Sequence, residues 1–205
     1  MVDRPSDGHY FSDQPSTRSR PTTVTLHLPD LSLDLVTDAG VFGRGGVDPG
    51  TKLLLTAGPE PNPGDRHLLD LGCGYGPIAL TLATRNPGAT VWAVDINARA
   101  RDLCRHNAAQ AGLTNVHVIG PDGHDPAIAY DRIWSNPPIR IGKPALRELL
   151  ATWLDRLAPD GSAHLVVQKH LGSDSLHGWL GQSGWPTTRR RSQAAYRLLD
   201  VAARS

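Results

Sequence analysis

Cysteine, methionine and long apolar runs are what this chain has least of. Two cysteines, Cys73 and Cys104, in 205 residues are too few for a disulfide scaffold or an all-cysteine zinc site. Nine scattered histidines show no H-x-x-x-H or Cys/His pairing, so no metal is expected. No apolar stretch approaches the roughly 20 residues a membrane helix needs, and the polar opening MVDRPSDGHY is unlike a signal peptide. A composition of 39% hydrophobic and 20% charged residues also sets the chain apart from disordered proteins. These absences leave a cytoplasmic globular protein with one ordinary core. The net charge of +1 argues against a strongly basic, nonspecific nucleic-acid binder. Its distribution is uneven: residues 1–130 hold 10 basic and 14 acidic residues, residues 131–205 hold 11 and 6.

Residues 1–22 are polar and lack apolar periodicity, which predicts an arm, with His9-Tyr10-Phe11-Ser12 as an aromatic spot able to dock on the body. Residues 23–205 read as one domain, divided into a leading part, 23–60, and a cofactor-binding and catalytic core, 61–205. TVTLHL and LSLDLV alternate around Pro29-Asp30, as in a β-hairpin. A glycine-rich loop over Gly40–Gly50 and a short helix at Leu53–Leu55 follow. From Arg66 strands and helices alternate. Strands are expected at 66–71, 90–96, 115–120, 131–135 and 163–169, and helices at 77–85, 97–111 and 144–157, the last stopped by Ala158-Pro159-Asp160-Gly161. A helix near 175–180 and strands near 187–191 and 196–202 close the chain. The pattern is that of a Rossmann-like α/β fold, a doubly wound, mostly parallel seven-stranded sheet with an N-terminal hairpin.

Asp70-Leu71-Gly72-Cys73-Gly74-Tyr75-Gly76 follows a buried strand and opens a helix. Such glycines permit a sharp turn and bring backbone N–H groups near a ligand. Asp95 ends the next strand, where a carboxylate can accept bonds from both ribose hydroxyls. The spacing is G-x-G-x-G rather than G-x-G-x-x-G, and Asp70 would repel a pyrophosphate but attract the ammonium of a methionine moiety. Both features favour S-adenosylmethionine over a dinucleotide. Here the chain resembles the class I S-adenosylmethionine-dependent methyltransferases. The resemblance implies a cofactor set of Asp70, Gly72, Cys73, Gly74 and Gly76, then Asp95, Ile96 and Asn97, with Asp122-Gly123 by the adenine.

Ser135-Asn136-Pro137-Pro138-Ile139 ends the fourth strand of the core. An exocyclic amine is a poor nucleophile because its lone pair is delocalised into the ring. An Asn oxygen and a proline-held carbonyl can accept both amine hydrogens and turn the lone pair toward a sulfonium methyl, with no strong base required. Asn136, Pro137, Pro138 and Ile139 are therefore the catalytic candidates. The string resembles the N-P-P-aromatic signature of amino methyltransferases, with Ile139 in place of the ring on which a flipped base would stack.

Together with DAGVFGRGGVDPGTKLLL, DLGCGYGPIAL, SNPPIRIGK and VVQK, these blocks resemble the methyltransferase small family, and within it the RsmC-type ribosomal RNA guanine-N2 methyltransferases. The resemblance implies guanine N2 of 16S rRNA as acceptor and a loop covering the cofactor, which places Phe42, Thr51 and Asn136 near it. Larger relatives carry an extra N-terminal copy of the domain, so RNA recognition is expected from the arm, the C-terminal half or a second copy in a homodimer. Arg140, Lys143 and Lys169 are the candidate RNA contacts, with Arg189-Arg190-Arg191 either a further contact or a solvated face. Two other readings stay open: a small-molecule or antibiotic-resistance methyltransferase, and a noncatalytic cofactor-binding partner of RNA or the ribosome.

Overall fold

The structure is a computed structural model, and it describes residues 17–204. The aromatic spot at residues 9–12 lies outside the described residues. β1 (Thr22–His27) and β2 (Ser32–Thr37) form a separate antiparallel hairpin, with Leu26 facing Leu33 across it. Thr22, placed in the arm by sequence, is the first residue of this hairpin. Leu26 and Leu35 are fully buried. Asn107, far along the chain, binds both backbone groups of Val36 (2.8 and 2.9 Å) and the Tyr75 carbonyl (2.8 Å). The hairpin is thereby fixed to the glycine loop.

After α1 (Pro49–Ala57) come β3 (His67–Leu71), α2 (Pro77–Arg85), β4 (Thr90–Val94), α3 (Ala98–Gln110), β5 (Val116–Ile119) and β6 (Tyr130–Ser135). α4 (Lys143–Leu154), β7 (Leu157–Gln168), α5 (Ser173–Gln182), β8 (Thr187–Gln193) and β9 (Tyr196–Ala202) complete the domain. The seven strands run in the order β5-β4-β3-β6-β7-β9-β8, parallel except for β9, which is antiparallel to both neighbours. Near-continuous apolar strands such as HLLDL suit a sheet covered on both faces. One core layer joins Leu68, Val91 and Val166 to the hairpin and to α1, α2 and α3; the other joins Leu69, Ile133 and Leu165 to α4 and α5.

The order reverses at β3, which has β4 on one side and β6 on the other. Ligands of open α/β sheets bind at the carboxyl ends of strands at such a reversal. The glycine loop follows β3 and the Asn-Pro-Pro turn follows β6, so the two sequence motifs meet there. Ser135 Oγ donates to the Leu71 carbonyl at 2.7 Å, tying the two strand ends together.

Gly76 caps α2 with φ +100, and a Cβ there would sit 2.6 Å from Leu80 Cδ1 and 2.9 Å from Cys104 Sγ. Gly76→Ala is expected to destabilise by about 2–4 kcal/mol, the sum of left-handed strain and overpacking. Chemical denaturation measures it.

The largest change of boundary falls between α4 and β7. α4 stops at Leu154, not 157, and Ala158–Gly161 lies inside β7 rather than before it. Leu157 is opposite Tyr130 and Ser162 opposite Arg132, so the residues between them bulge. The Pro-Asp-Gly turn signal was real, but it makes a strand irregularity. Gly161 fits because a Cβ there would meet the Tyr130 and Ala158 carbonyls at 2.9 Å.

Candidate active site

Asp70, next to last in β3, is fully buried, and its Oδ2 accepts the Ala79 N–H of α2 at 2.9 Å. Its Oδ1 is buried with no hydrogen-bond partner among the described residues. Burial pushes its carboxyl up to about 8, against the opposing pull of the Ala79 N–H. Such an oxygen suits a cation brought by a ligand.

The loop amides are less available than the sequence suggested. Gly72 and Cys73 both donate to the Val94 carbonyl (2.8 and 2.9 Å), Gly74 donates to Asp95 Oδ2 (2.9 Å), and Gly76 donates to the Cys73 carbonyl (2.9 Å). Pro77 has no N–H, and Asp70 occupies the first turn of α2. The expected presentation of these N–H groups to a ligand is therefore corrected: they hold the loop itself. With Asp70 there, this N-terminus is poorly suited to a phosphate, and it is the free Asp70 Oδ1, against the helix dipole, that suits an ammonium. Gly72 (φ +79) and Gly74 (φ +55) have open space where a Cβ would stand. Cys73 turns its side chain into the core, where the Cys104 thiol and burial push its own thiol well up.

Asp95 accepts from Asn97 N at 2.9 Å through Oδ1 as well as from Gly74 through Oδ2. Burial raises its carboxyl while these N–H groups pull it down. An ionised carboxylate offers about four acceptor positions, so two amides leave room for two hydroxyls. Asn97 is 2% exposed; its side chain caps α3 at Ala100 N (3.3 Å) and holds the Gly40 carbonyl (2.9 Å). Its side chain thus anchors the glycine loop instead of lining a pocket. Asp122 and Gly123 sit exposed in a 3-10 turn, Pro121–Gly123, just past β5. Phe42, Ile96 and Leu171 are the large apolar side chains left exposed among the described residues; Ile96 and Leu171 lie just past β4 and β7 of the main sheet, and Phe42 in the loop after β2 of the hairpin. Leu171 carried no sequence signal.

Asn136 donates from Nδ2 to Asp48 Oδ2 at 2.9 Å and to Thr51 Oγ1 at 3.0 Å. Pro138 (φ −74, ψ 76) forms an inverse γ-turn, in which Ile139 N donates to the Pro137 carbonyl at 2.8 Å. One lone pair of that carbonyl is thereby used and one remains. Ile139 packs on the α4 layer and, with Gly142, Lys143, Leu146, Arg147, Val167 and Leu171, lines an adjoining cavity of about 120 Å³. Arg140 and Lys143 are exposed beside the turn. Lys169 bends its ammonium to the Ala194 carbonyl at 2.6 Å, bracing the β8–β9 turn. Arg189 and Arg190 pair with Asp174 and Asp200 (2.9 and 2.7 Å) on the edge strand. Trp134 is core, packed against His164 at 5.2 Å. Asp48, whose part in holding Asn136 was not read from sequence, reaches the site across 88 positions of chain.

The model of the methyltransferase small domain matches residues 32–192. The chain belongs to the methyltransferase small domain family. Within it, the chain is 36% identical over 170 residues to the Bacillus subtilis protein YbxB, described as uncharacterized, covering 82% of this chain and 84% of that protein. It is 34% identical over 151 residues to ribosomal RNA small subunit methyltransferase C of Shewanella halifaxensis, covering 71% of this chain but 43% of the relative. The T. thermophilus 16S rRNA N2 methyltransferase RsmC, solved with AdoMet and guanosine, superposes with a TM-score of 0.77 at 25% identity, over 93% of this chain and 52% of that one. The chain thus spans about half the length of the RsmC proteins it matches. Among the described residues no helix is long and apolar enough to cross a membrane, and no group of His, Cys, Asp or Glu is arranged to hold a metal.

Proposed function

We propose that this domain is an S-adenosylmethionine-dependent N-methyltransferase whose acceptor is guanine N2 in ribosomal RNA. The observation that carries the reading is the Asn136 amide, with both nitrogen hydrogens engaged by Asp48 and Thr51, which leaves its oxygen to accept from an amine. The buried Asp70 oxygen and the Gly72–Gly74 cradle fit the cofactor's ammonium end. Asp95 fits its ribose, and Ile96 and Phe42 offer apolar contact. Asp122 and Gly123, exposed just past β5, are assigned to the adenine edge. When bound, the cofactor supplies an electrophilic methyl group. Asn136 Oδ1 and the free lone pair of the Pro137 carbonyl would accept the two amine hydrogens and aim the nitrogen lone pair. The proton acidifies as the new bond forms, so no strong base is required. Pro138 stiffens the turn, and Ile139 supplies an aliphatic wall for the base. Arg140 and Lys143 supply phosphate contacts near the turn, whereas the Lys169 ammonium is engaged by the Ala194 carbonyl, and the named relatives support RNA as partner.

The test is to incubate the protein with methyl-labelled S-adenosylmethionine and, separately, small ribosomal subunits, naked 16S rRNA and small-molecule amines. Nucleosides are then resolved by mass. N2-methylguanosine in one RNA substrate is expected. Label only in small molecules, or cofactor binding with no transfer to any acceptor, overturns the reading. Asp95→Ala is expected to weaken cofactor binding at least 100-fold by calorimetry, since charge-assisted hydrogen bonds contribute about 1.5–3 kcal/mol each. Unchanged affinity removes the ribose assignment.

A further inference from the structure

We infer that Asp48 is a positioning residue for methyl transfer: its carboxylate fixes which end of the Asn136 amide faces the acceptor. This rests on the reading of Asn136 as the amine's acceptor. Asp48 ends the glycine loop and caps α1, where its Oδ2 takes Gly50 N at 2.8 Å and Thr51 N at 3.1 Å. The same oxygen takes Asn136 Nδ2 at 2.9 Å. Three donors converge on one oxygen, which locks the side chain to the first turn of the helix.

The chemistry makes this contact directional. An amide carries a donor end and an acceptor end of nearly the same shape, and a flip exchanges them. Only the donor end helps if the oxygen is to meet an amine hydrogen. Thr51 Oγ1, 3.0 Å from Asn136 Nδ2, cannot enforce this, because a hydroxyl serves either end. A carboxylate accepts only, so a flipped amide would set two oxygens against each other. Asp48 therefore supplies the polarity and Thr51, 4% exposed, completes the clamp. The clamp also joins the loop to the catalytic turn. Below the loop, the buried Tyr75 ring lies 3.1 Å from the place of a Gly43 Cβ. A loop seated on Tyr75 thus sets Asp48, and through it Asn136.

Serine caps a helix about as well as aspartate, but it is one atom too short to span from the cap to Asn136. Asp48→Ser is expected to lower kcat at least 30-fold. KM for S-adenosylmethionine should stay within threefold, and Tm should hold. Asp48→Asn keeps an acceptor oxygen for all three donors and should restore kcat to within about fivefold of wild type, a rescue that a charge requirement would not give. Asp48→Thr, also a capping residue, is measured alongside and should behave as Asp48→Ser does, so loss of folding in one variant leaves the other to decide. Wild-type kcat in a folded serine or threonine variant overturns the inference. So does failure of Asp48→Asn to exceed them. Inactive Asn136→Ala beside active Asp48→Ser removes only Asp48, whereas active Asn136→Ala removes the amine reading itself.

Discussion

Replacing Asn136 by alanine is expected to lower kcat by about 10²–10³-fold, the loss typical of one preorganised hydrogen-bonding group at a reacting centre. Cofactor affinity should stay within threefold, because the groups assigned to the cofactor, Asp70, Asp95 and the glycine loop, are held by other partners. Stability should change little. Asn136 is half-buried, and Asp48 Oδ2 keeps the Gly50 and Thr51 amides when the side chain is removed. A single-turnover assay with saturating labelled cofactor separates the methyl-transfer step from binding. Wild-type turnover sinks the assignment of the amine to this turn. Asn136→Asp is informative beside it, since it sets a carboxylate against Asp48. It should lose activity and also lower Tm.

The site was more legible in sequence than the reasons for its rigidity. Asp70, the three glycines and Asn136 announce themselves because each sits where a strand ends, and strand ends are readable from apolar runs and turn residues. A mostly parallel sheet covered on both faces followed from strand–helix alternation, but the strand at which its order reverses did not. Long-range polar contacts left no such trace. Asn107 pins the hairpin from a helix with no other sign of that contact, and Asp48 meets Asn136 across 88 positions of chain. Asn97 looked like a cofactor neighbour because it adjoins Asp95, yet its side chain is spent on the Gly40 carbonyl. The glycine-loop amides were misjudged for a related reason. Glycine content signals a turn, but it does not say whether the freed N–H groups face a ligand or the next strand.

The basic half of the chain also changes meaning once its partners are known. Arg132, Arg189, Arg190, Arg197 and Arg204 all pair with aspartates. Five of the eleven basic residues after residue 131 are thus held in ion pairs, but only Arg132 draws its partner, Asp65, from the acidic half, so most of the excess positive charge remains. The charge beside the catalytic turn comes from Arg140, Lys143 and Arg147, the last also lying over the Trp179 ring at 5.4 Å. RNA affinity carried by so few cations should be modest and strongly salt-dependent.

Asp70→Asn is expected to lose cofactor binding by at least 100-fold while making the ligand-free protein more stable at alkaline pH. The sign follows from the carboxyl being pushed up to about 8 by burial, whereas in an unfolded chain it titrates near 4. A group raised in this way contributes its full stability below the unfolded value and loses it as pH rises through the folded one. Between roughly pH 4 and 8 the ligand-free wild type should thus lose stability on the order of a few kcal/mol, because an unpaired charge must form inside the fold. Asparagine cannot ionise, and its oxygen can still accept from Ala79, so the variant should show a flatter profile. An ammonium at Oδ1 removes the same penalty in the wild type, which couples binding to proton release. Below pH 8, cofactor affinity should rise with pH, by at most tenfold per unit for one proton released. Calorimetry at pH 7 in buffers of different ionisation enthalpy should count close to one proton leaving per cofactor bound. Asp70→Asn should abolish that release. A pH-independent affinity between 6 and 8, with no proton released, would mean that Asp70 is already ionised in the free protein, with its charge balanced before the cofactor arrives.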